Sequence, residues 1–256
     1  MWHKRQILCH TLFYNNTLNL NNIVYLCTEV CTCAKYVCPG STEDVLCVDF
    51  VRINIHLSKP CDMRKKEIEE LCRMTVEEFR AAEKLPLVIV LDNVRSLHNV
   101  GSVFRTADAF CLERVCLCGI TACPPSAEIH KTALGAEDTV EWKYYADTMD
   151  AVRELHDAGY TVLAVEQVEG SLKLGEFQAE PGERYALILG NEVKGVRQDV
   201  VDACDQALEI PQYGMKHSLN VSVTAGIVMW EVSQAMRQKN LAEEVFSKLG
   251  KNLFLK

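Results

Sequence analysis

Three loops of this chain combine polar side chains with a position that favours ligand binding. Each follows a short apolar run that predicts a strand, and they comprise residues 92–99, 190–195 and 211–220. In open α/β sheets, ligands bind beyond the carboxyl ends of the strands, so these loops are where chemistry is expected. Glu192 lies there in a loop flanked by Gly190 and Gly195, a poor position for a charge that only contacts solvent. The alternative for this side chain is a surface ion pair with Lys194.

The glycine spacing of residues 190–195 is that of a phosphate-binding loop. Val196 and Arg197, however, stand where such a loop needs lysine and serine or threonine, so ATP hydrolysis is not predicted. The chain also contains no G-x-G-x-x-G fingerprint, no H-E-x-x-H motif and no G-x-S-x-G nucleophile elbow. These absences argue against a dinucleotide-binding enzyme, a zinc protease and an α/β-hydrolase.

Short apolar runs alternate with helical patterns from Leu87 onward, which is typical of βα units around a largely parallel sheet. The predicted strands comprise residues 87–91, 114–118, 160–165, 185–189 and 207–210. The predicted helices comprise residues 100–110, 149–158, 198–203 and 221–239. Thr75 and Glu78 form a capping box that begins another short helix.

Composition indicates a globular enzyme, with 48% apolar and 24% charged residues among 256. The net charge of −8 argues mildly against nucleic acid, although a small basic groove can lie on an acidic protein. No run of 18 apolar residues predicts a membrane span, and residues 1–30 are too polar for a secretory signal, so a cytoplasmic protein is expected. An odd number of cysteines, 13, is typical of free thiols rather than disulfides.

Three short segments resemble, in the same order, the three motifs of the SpoU (TrmH-like) RNA methyltransferases. They begin at Asn99 (NVGSVFRTA), Leu189 (LGNE) and Ile210 (IPQYGMKHSLNVSV), and each lies at or beyond the end of a predicted strand. The resemblance covers residues 87–236. It implies a SPOUT fold, which is an α/β domain with a largely parallel sheet. In this fold the C-terminal part of the chain is threaded into a deep trefoil knot. It also implies S-adenosylmethionine as cofactor and a homodimer with RNA lying across it.

The resemblance implies transfer of a methyl group to a ribose 2'-hydroxyl, an in-line displacement in which the protein aligns the nucleophile and manages one proton. Arg105 is implied to activate the hydroxyl, with Asn99 orienting the arrangement. Because a guanidinium does not deprotonate in proteins, binding of the adjacent phosphate is favoured over base catalysis. A structural alternative is that Arg105 only pairs with an acid such as Asp108.

Four further positions take their roles from the same resemblance. Glu192 is implied to position Arg105 or Asn220. Ser218 and Asn220 are implied to belong to the catalytic pocket, although both are also preferred residues at the start of a helix. The implied cofactor-binding residues, which act largely through their backbone, are Gly190, Asn191, Ile210 and Leu219.

The RNA that is methylated does not follow from the motifs. A tRNA guanosine is the first expectation and ribosomal RNA the second. The alternative from another class is a noncatalytic RNA-binding module of the same fold, and base methylation is a further enzymatic alternative. Basic residues that could contact phosphates include Arg64, Lys65, Lys66 and Arg95, but a solvated surface charge is the favoured explanation for each of them.

Residues 1–62 differ from the rest, because seven of the thirteen cysteines precede Met63. The favoured interpretation is a start-site extension without a fold of its own, and the second is a tail that depends on a partner. The third is a zinc site from Cys27, Cys31, Cys33 and Cys38, whose spacing does not form the usual paired knuckles. The remaining chain is divided into a helical segment, the methyltransferase domain and a helical tail, at residues 63–86, 87–240 and 241–256.

Overall fold

The computed structural model describes residues 64–71 and 73–253. The chain divides after Glu70, and the larger unit contains the α/β domain. The interpretations of residues 1–62, including the zinc ligands, lie outside the described residues. Within the described part, no helix is long and apolar enough to pass through a membrane.

Seven strands form one parallel sheet in the order β3-β2-β1-β6-β4-β7-β5. The strands are β1 (Leu85–Asp92), β2 (Leu112–Cys118), β3 (Glu141–Tyr145), β4 (Tyr160–Val165), β5 (Leu172–Lys173), β6 (Arg184–Leu189) and β7 (Gln206–Glu209). An α/β domain with a largely parallel sheet was expected from the sequence, and this class is confirmed.

The helices cover both faces of the sheet. They are α1 (Val76–Ala81), α2 (Leu97–Ala109), α3 (Ala127–Ala133), α4 (Ala136–Thr139), α5 (Thr148–Asp157), α6 (Gln198–Asp202) and α7 (Val221–Leu253), with short 3-10 helices at Ile68–Leu71 and Leu174–Glu176. The predicted capping box of Thr75 and Glu78 is present at the start of α1.

All five predicted strands are present, but β3 and β5 were missed, as were α3 and α4. Four of the five residues of β3 are exposed, so this edge strand has no apolar run that could have predicted it. Helix α7 continues to Leu253, beyond its predicted end at residue 239, so residues 241–253 of the predicted tail continue the same helix.

The core has two parts because successive side chains of a strand point to opposite faces of the sheet. Leu87 and Ile89 of β1 pack with Phe104 of α2 and Val228 of α7. Val88 lies in the second cluster, which faces α5 and α6. Burial on both faces explains why the central strands consist of continuous apolar runs.

The central strands end at a common level, which places their following loops side by side. Leu189 of β6 is in register with Leu91 of β1 on one side and with Val165 of β4 on the other. Val165 is in turn in register with Leu208 of β7. The loops after β1, β4, β6 and β7 therefore meet at one edge of the sheet.

Candidate active site

A cavity of about 450 Å³ lies at this edge, beyond β4, β6 and β7. Its walls include all four residues that the sequence predicted to bind the cofactor, Gly190, Asn191, Ile210 and Leu219. Of the predicted catalytic residues, Glu192 and Ser218 also line it. The structure thus brings six of the nine predicted site residues to one cavity.

The loop after β6 is folded into a closed turn. The N–H of Asn191 donates to the carbonyl of Gly195 at 3.0 Å, and the N–H of Gly195 donates to the carbonyl of Asn191 at 2.9 Å. The side-chain oxygen of Asn191 accepts the N–H groups of Val193 and Lys194 at 2.9 and 3.1 Å. Gly195 has a φ of 68°, a conformation that favours glycine. Asn191 therefore shapes this wall of the cavity through its side chain as well as its backbone.

Glu192 connects the loop after β6 with the loop after β1. Its carboxylate accepts the N–H groups of Arg95 and Ser96 at 3.0 and 2.9 Å and the Nδ2 of Asn99 at 3.0 Å. Burial by itself would raise the pKa of Glu192. Hydrogen bonds, including these three, lower the pKa by a larger amount, so the net pKa lies below its ordinary value. Among the described contacts it forms no ion pair with Lys194. The side chain thus orders polar partners, as its position suggested.

Asn99 links Glu192 to the third motif. Its side chain is largely buried, with 8% of the residue exposed, and its Oδ1 accepts Nδ2 of Asn220 at 3.2 Å. The Oδ1 of Asn220 accepts the N–H and the hydroxyl of Ser222 at 2.9 and 2.6 Å, at the start of α7. Asn220 therefore caps the helix and belongs to the site at once. Glu192 reaches Asn220 through Asn99 rather than by direct contact.

Ser218 is exposed on the cavity wall. The capping function that the sequence allowed for both residues is performed by Asn220, because the first N–H groups of α7 bind its side chain. The hydroxyl of Ser218 makes no hydrogen bond with other described residues, so it faces the cavity as a polar group available to a ligand.

Arg105 lies apart from the other predicted catalytic residues. It is exposed on α2, does not line the cavity and makes no hydrogen bond or ion pair within the described chain. The alternative pairing with Asp108 is absent, since that carboxyl accepts the hydroxyl of Thr139 at 3.2 Å. Arg105 follows Asn99 by six positions, which places the two about 120° apart around the helix axis. A single chain therefore does not bring Arg105 to the group formed by Glu192, Asn99 and Asn220.

The sequence analysis missed several polar residues of the cavity, among them two at the end of β4. Glu166 and Gln167 follow β4 directly, and both line the cavity. The Glu166 carboxylate accepts the N–H of Val196 at 2.9 Å, and Gln167 Nε2 donates to the carbonyl of His217 at 2.9 Å. The rule that ligands bind beyond strand ends could have found them, because β4 itself was predicted with its observed bounds.

Comparison with known proteins agrees with the three motifs. The model of the SpoU rRNA Methylase family matches residues 86–230. A curated relative, the 23S rRNA (guanosine-2'-O-)-methyltransferase RlmB of Vibrio vulnificus, is 30% identical over 176 residues, which are 69% of this chain and 69% of the relative.

Solved structures show the same architecture. An AdoMet-bound rRNA methyltransferase from Sinorhizobium meliloti has a TM-score of 0.55 at 28% identity, over 61% of this chain and 59% of that one. The TrmH/SpoU tRNA modifying enzyme of A. aeolicus has a TM-score of 0.58 at 22% identity, over 71% of this chain and 97% of that one, a likeness of fold alone.

These neighbours confirm the SPOUT class of α/β fold that the motifs implied, while the trefoil knot stays a prediction. The family model covers more than half of the chain and contains all three motifs and the whole cavity edge of β1, β4, β6 and β7. The chain therefore belongs to the SpoU methylase family of RNA methyltransferases.

Proposed function

We propose that this chain transfers a methyl group from S-adenosylmethionine to the 2'-hydroxyl of a ribose in RNA. The observation that carries the proposal is the hydrogen-bonded group of Glu192, Asn99 and Asn220, which joins one residue from each of the three motifs beside the cavity. Such a chain of fixed polar groups is the kind of preorganised arrangement that positions a nucleophile.

The cavity suits S-adenosylmethionine in size and in lining. Its volume of about 450 Å³ is within the range of small-molecule sites, roughly 300 to 1,000 Å³. Leu208, Ile210 and Leu219 give it an apolar wall that fits an adenine ring, and Glu166 and Gln167 add polar groups that fit ribose hydroxyls. The cofactor, when bound, supplies an electrophilic methyl group.

The three linked side chains orient one another unambiguously. Nδ2 of Asn99 donates to Glu192 and Oδ1 of Asn99 accepts from Asn220, so the amide of Asn99 is fixed at both ends. Nδ2 of Asn220 keeps one further N–H for a substrate oxygen. The free hydroxyl of Ser218 on the cavity wall is the other group placed to orient the ribose.

RNA binding is supported by the distribution of unpaired cations. Of the eleven arginines and lysines between residues 87 and 230, seven form ion pairs, for example Arg153 with Asp150 and Lys131 with Glu128. Arg95, Arg105 and two lysines, Lys194 and Lys216, are exposed and form none within the described residues. All four belong to the motif-bearing loops or to α2. These four residues are therefore proposed to bind phosphates, a role that does not require a deprotonated guanidinium.

A homodimer is supported by an apolar stripe on α7. Val223, Ile227 and Trp230 recur on one face of this helix and are 51%, 38% and 54% exposed. Trp230 packs against Phe110 at the end of α2, with the ring centroids 5.8 Å apart. A second copy of the chain is the proposed cover of this stripe. It would also let Arg105 of one copy serve the cavity of the other, which no contact within one chain does.

Ribosomal RNA is the proposed substrate class, and a guanosine the proposed target. The curated relative from Vibrio vulnificus is named for 23S rRNA and for guanosine 2'-O-methylation. The first expectation from the sequence, tRNA, has weaker support, and the alternative of a noncatalytic module has none among the matched relatives, which are named as methyltransferases. The proposed place of action is the cytoplasm.

The test combines the full chain with tritiated S-adenosylmethionine and either ribosomal RNA or tRNA from a strain that lacks the protein. Label recovered as 2'-O-methylguanosine from ribosomal RNA is the expected result. Label in tRNA alone would overturn the proposal that ribosomal RNA is the substrate. Label on a base would overturn the proposal that the ribose is methylated. The oligomeric state of wild type and Ile227→Glu, measured by light scattering, tests the dimer: the variant is expected to be monomeric.

A further inference from the structure

Two carboxyl groups flank the loop that forms one wall of the cavity. This loop, residues 190–197, follows β6, which lies between β1 and β4 in the sheet. Asp92 is the last residue of β1, and Glu166 directly follows β4. Because these strands end at one level, the two carboxyl groups stand on opposite sides of the loop.

Both carboxyl groups bind the far end of the loop, at consecutive residues. Glu166 accepts the N–H of Val196 at 2.9 Å, and Asp92 accepts the N–H of Arg197 at 3.2 Å. On the side of β1 the loop has a second attachment, since Asn191 Nδ2 donates to the carbonyl of Asn93 at 2.8 Å. The residues at the end of β1 thus hold the loop near its start and at its end.

Asp92 is an unusual residue for its surroundings. It is completely buried, and its carboxyl accepts hydrogen bonds from the hydroxyl of Thr148, from Asn93 Nδ2 and from the N–H of Arg197. In all three hydrogen bonds the carboxyl oxygens of Asp92 are the acceptors. The Arg197 guanidinium instead contacts Asp147 and Asp199.

Burying a carboxyl costs free energy unless every acceptor is satisfied, and an apolar side chain would fill this core position without that cost. What the carboxyl adds is a fixed acceptor for the end of the loop. Asp92 does not itself line the cavity, so any effect on a bound ligand passes through the loop.

We propose that Asp92 and Glu166 form a clasp that fixes the end of the loop after β6 and so sets the shape of the cofactor cavity. Both are positioning residues, and Asp92 is the decisive one because Glu166 also faces the cavity. The proposal rests on the proposed function in that the cavity takes S-adenosylmethionine. The hydrogen bonds that form the clasp are also made in the protein without cofactor.

The test measures two quantities in wild type, Asp92→Asn and Glu166→Gln of the full chain. The first is the Kd for S-adenosylmethionine by calorimetry, and the second is amide hydrogen exchange at Val196 and Arg197 in the cofactor-free protein. Asp92→Asn is expected to weaken cofactor binding about tenfold and to speed exchange at Arg197 by a similar factor. Glu166→Gln is expected to speed exchange at Val196. The Kd for RNA is expected to stay within about twofold.

Glu137→Gln is the matched control, because Glu137 is also a buried carboxyl that accepts a backbone N–H, at Gly135, and it lies outside the cavity lining. A general loss of stability would weaken cofactor binding in both Asp92→Asn and Glu137→Gln. The proposed clasp predicts weaker cofactor binding in Asp92→Asn and no weakening in Glu137→Gln. Folded Asp92→Asn with wild-type cofactor affinity and wild-type exchange at Arg197 would overturn the proposal.

Thr148→Val is the second variant if Asp92→Asn does not fold. It keeps the shape of the side chain and removes one donor to Asp92, so a smaller change in the same direction is expected, and wild-type values would overturn the clasp. A wild-type chain that does not bind S-adenosylmethionine would overturn the proposed function instead. Exchange at Val196 and Arg197 would then still decide whether the clasp exists.

Discussion

Glu192 Oε1 accepts a hydrogen bond from Asn99 Nδ2 at 3.0 Å, and this contact joins the first turn of α2 to the loop after β6, 93 residues later in the chain. The same carboxylate binds the N–H groups of Arg95 and Ser96, which precede α2. The Glu192 carboxylate therefore holds both the start of α2 and the cavity wall. Removal of its charge should change the stability of the fold as well as the activity.

Replacement of Glu192 by Gln should reduce the acid sensitivity of the fold. Hydrogen bonding lowers the pKa of Glu192 in the folded chain below its ordinary value of 4.5, in spite of burial. A lowered folded pKa contributes stability above the unfolded pKa, and this contribution is lost as the pH falls through the folded pKa. Between neutral pH and pH 4 or below, wild type should therefore lose more free energy of unfolding than Glu192→Gln.

Urea unfolding at several pH values measures this difference. Glu176→Gln is a suitable control, because Glu176 is exposed and makes no side-chain hydrogen bond with described residues. Equal pH dependence in wild type and Glu192→Gln would contradict the prediction.

Replacement of Arg105 by Ala should abolish methylation and leave the Kd for S-adenosylmethionine within a few-fold of wild type, because Arg105 lies outside the cavity. Arg153→Ala, which removes an exposed arginine of α5 paired with Asp150, is the control and should keep full activity. Single-turnover methylation with excess enzyme separates loss of chemistry from loss of RNA binding. Wild-type rates in Arg105→Ala would remove this residue from the site.

Replacement of Gly195 by Ala should weaken cofactor binding and lower stability. Gly195 has a φ of 68°, and a Cβ there would overlap the Glu166 carboxylate. Gly182→Ala is a close control, because Gly182 has a φ of 72° but open space around the added Cβ. It should show only the cost of the left-handed backbone, about 1 kcal/mol.

Thermal unfolding and cofactor titration of the two glycine variants provide the comparison. Gly195→Ala should be the less stable variant and the only one with reduced cofactor affinity. Identical behaviour of both variants would mean that the contact with Glu166 does not constrain the loop.

The described cysteines should react with iodoacetamide in an order set by their surroundings. Burial raises the pKa of Cys116 to about 11 and that of Cys204 to about 12, so at neutral pH little of either is the reactive thiolate. Cys111 is partly exposed at the end of α2. Mass spectrometry of native protein at pH 7.5 should find Cys111 labelled before Cys116 and Cys204. Labelling of all three at one rate would contradict this order.

The central strands and most of the site were predictable because their signals are local. Apolar runs gave β4 with its observed bounds, and the motif residues Glu192, Asn99 and Asn220 are hydrogen-bonded as a group. The exposed strand β3 was not predictable, because an edge strand that packs little has no apolar pattern. The isolation of Arg105 was not predicted, although its spacing of six positions from Asn99 on a helix already indicates a different face of α2.

Buried partners across the sheet are the other part that the sequence could not supply. Asp92 is an ordinary acidic residue at the end of an apolar run until the structure shows that its carboxyl meets the N–H of Arg197, 105 residues later. Contacts of this kind depend on the order of strands, which an alternation of strands and helices does not determine.

The central place of β6 has a consequence for synthesis of the protein on the ribosome. Strand β2 pairs with β1 on one side and with β3 on the other, and β4 pairs with β7. Only β6 joins these two groups of strands. Until residue 189 has emerged, β1 keeps one edge unpaired and β4 keeps both, because β7 is made later still, although both strands are apolar on both faces. The nascent chain must therefore delay closure of its core until β6 has been made, and until then the open edges of these strands are exposed to association with other chains.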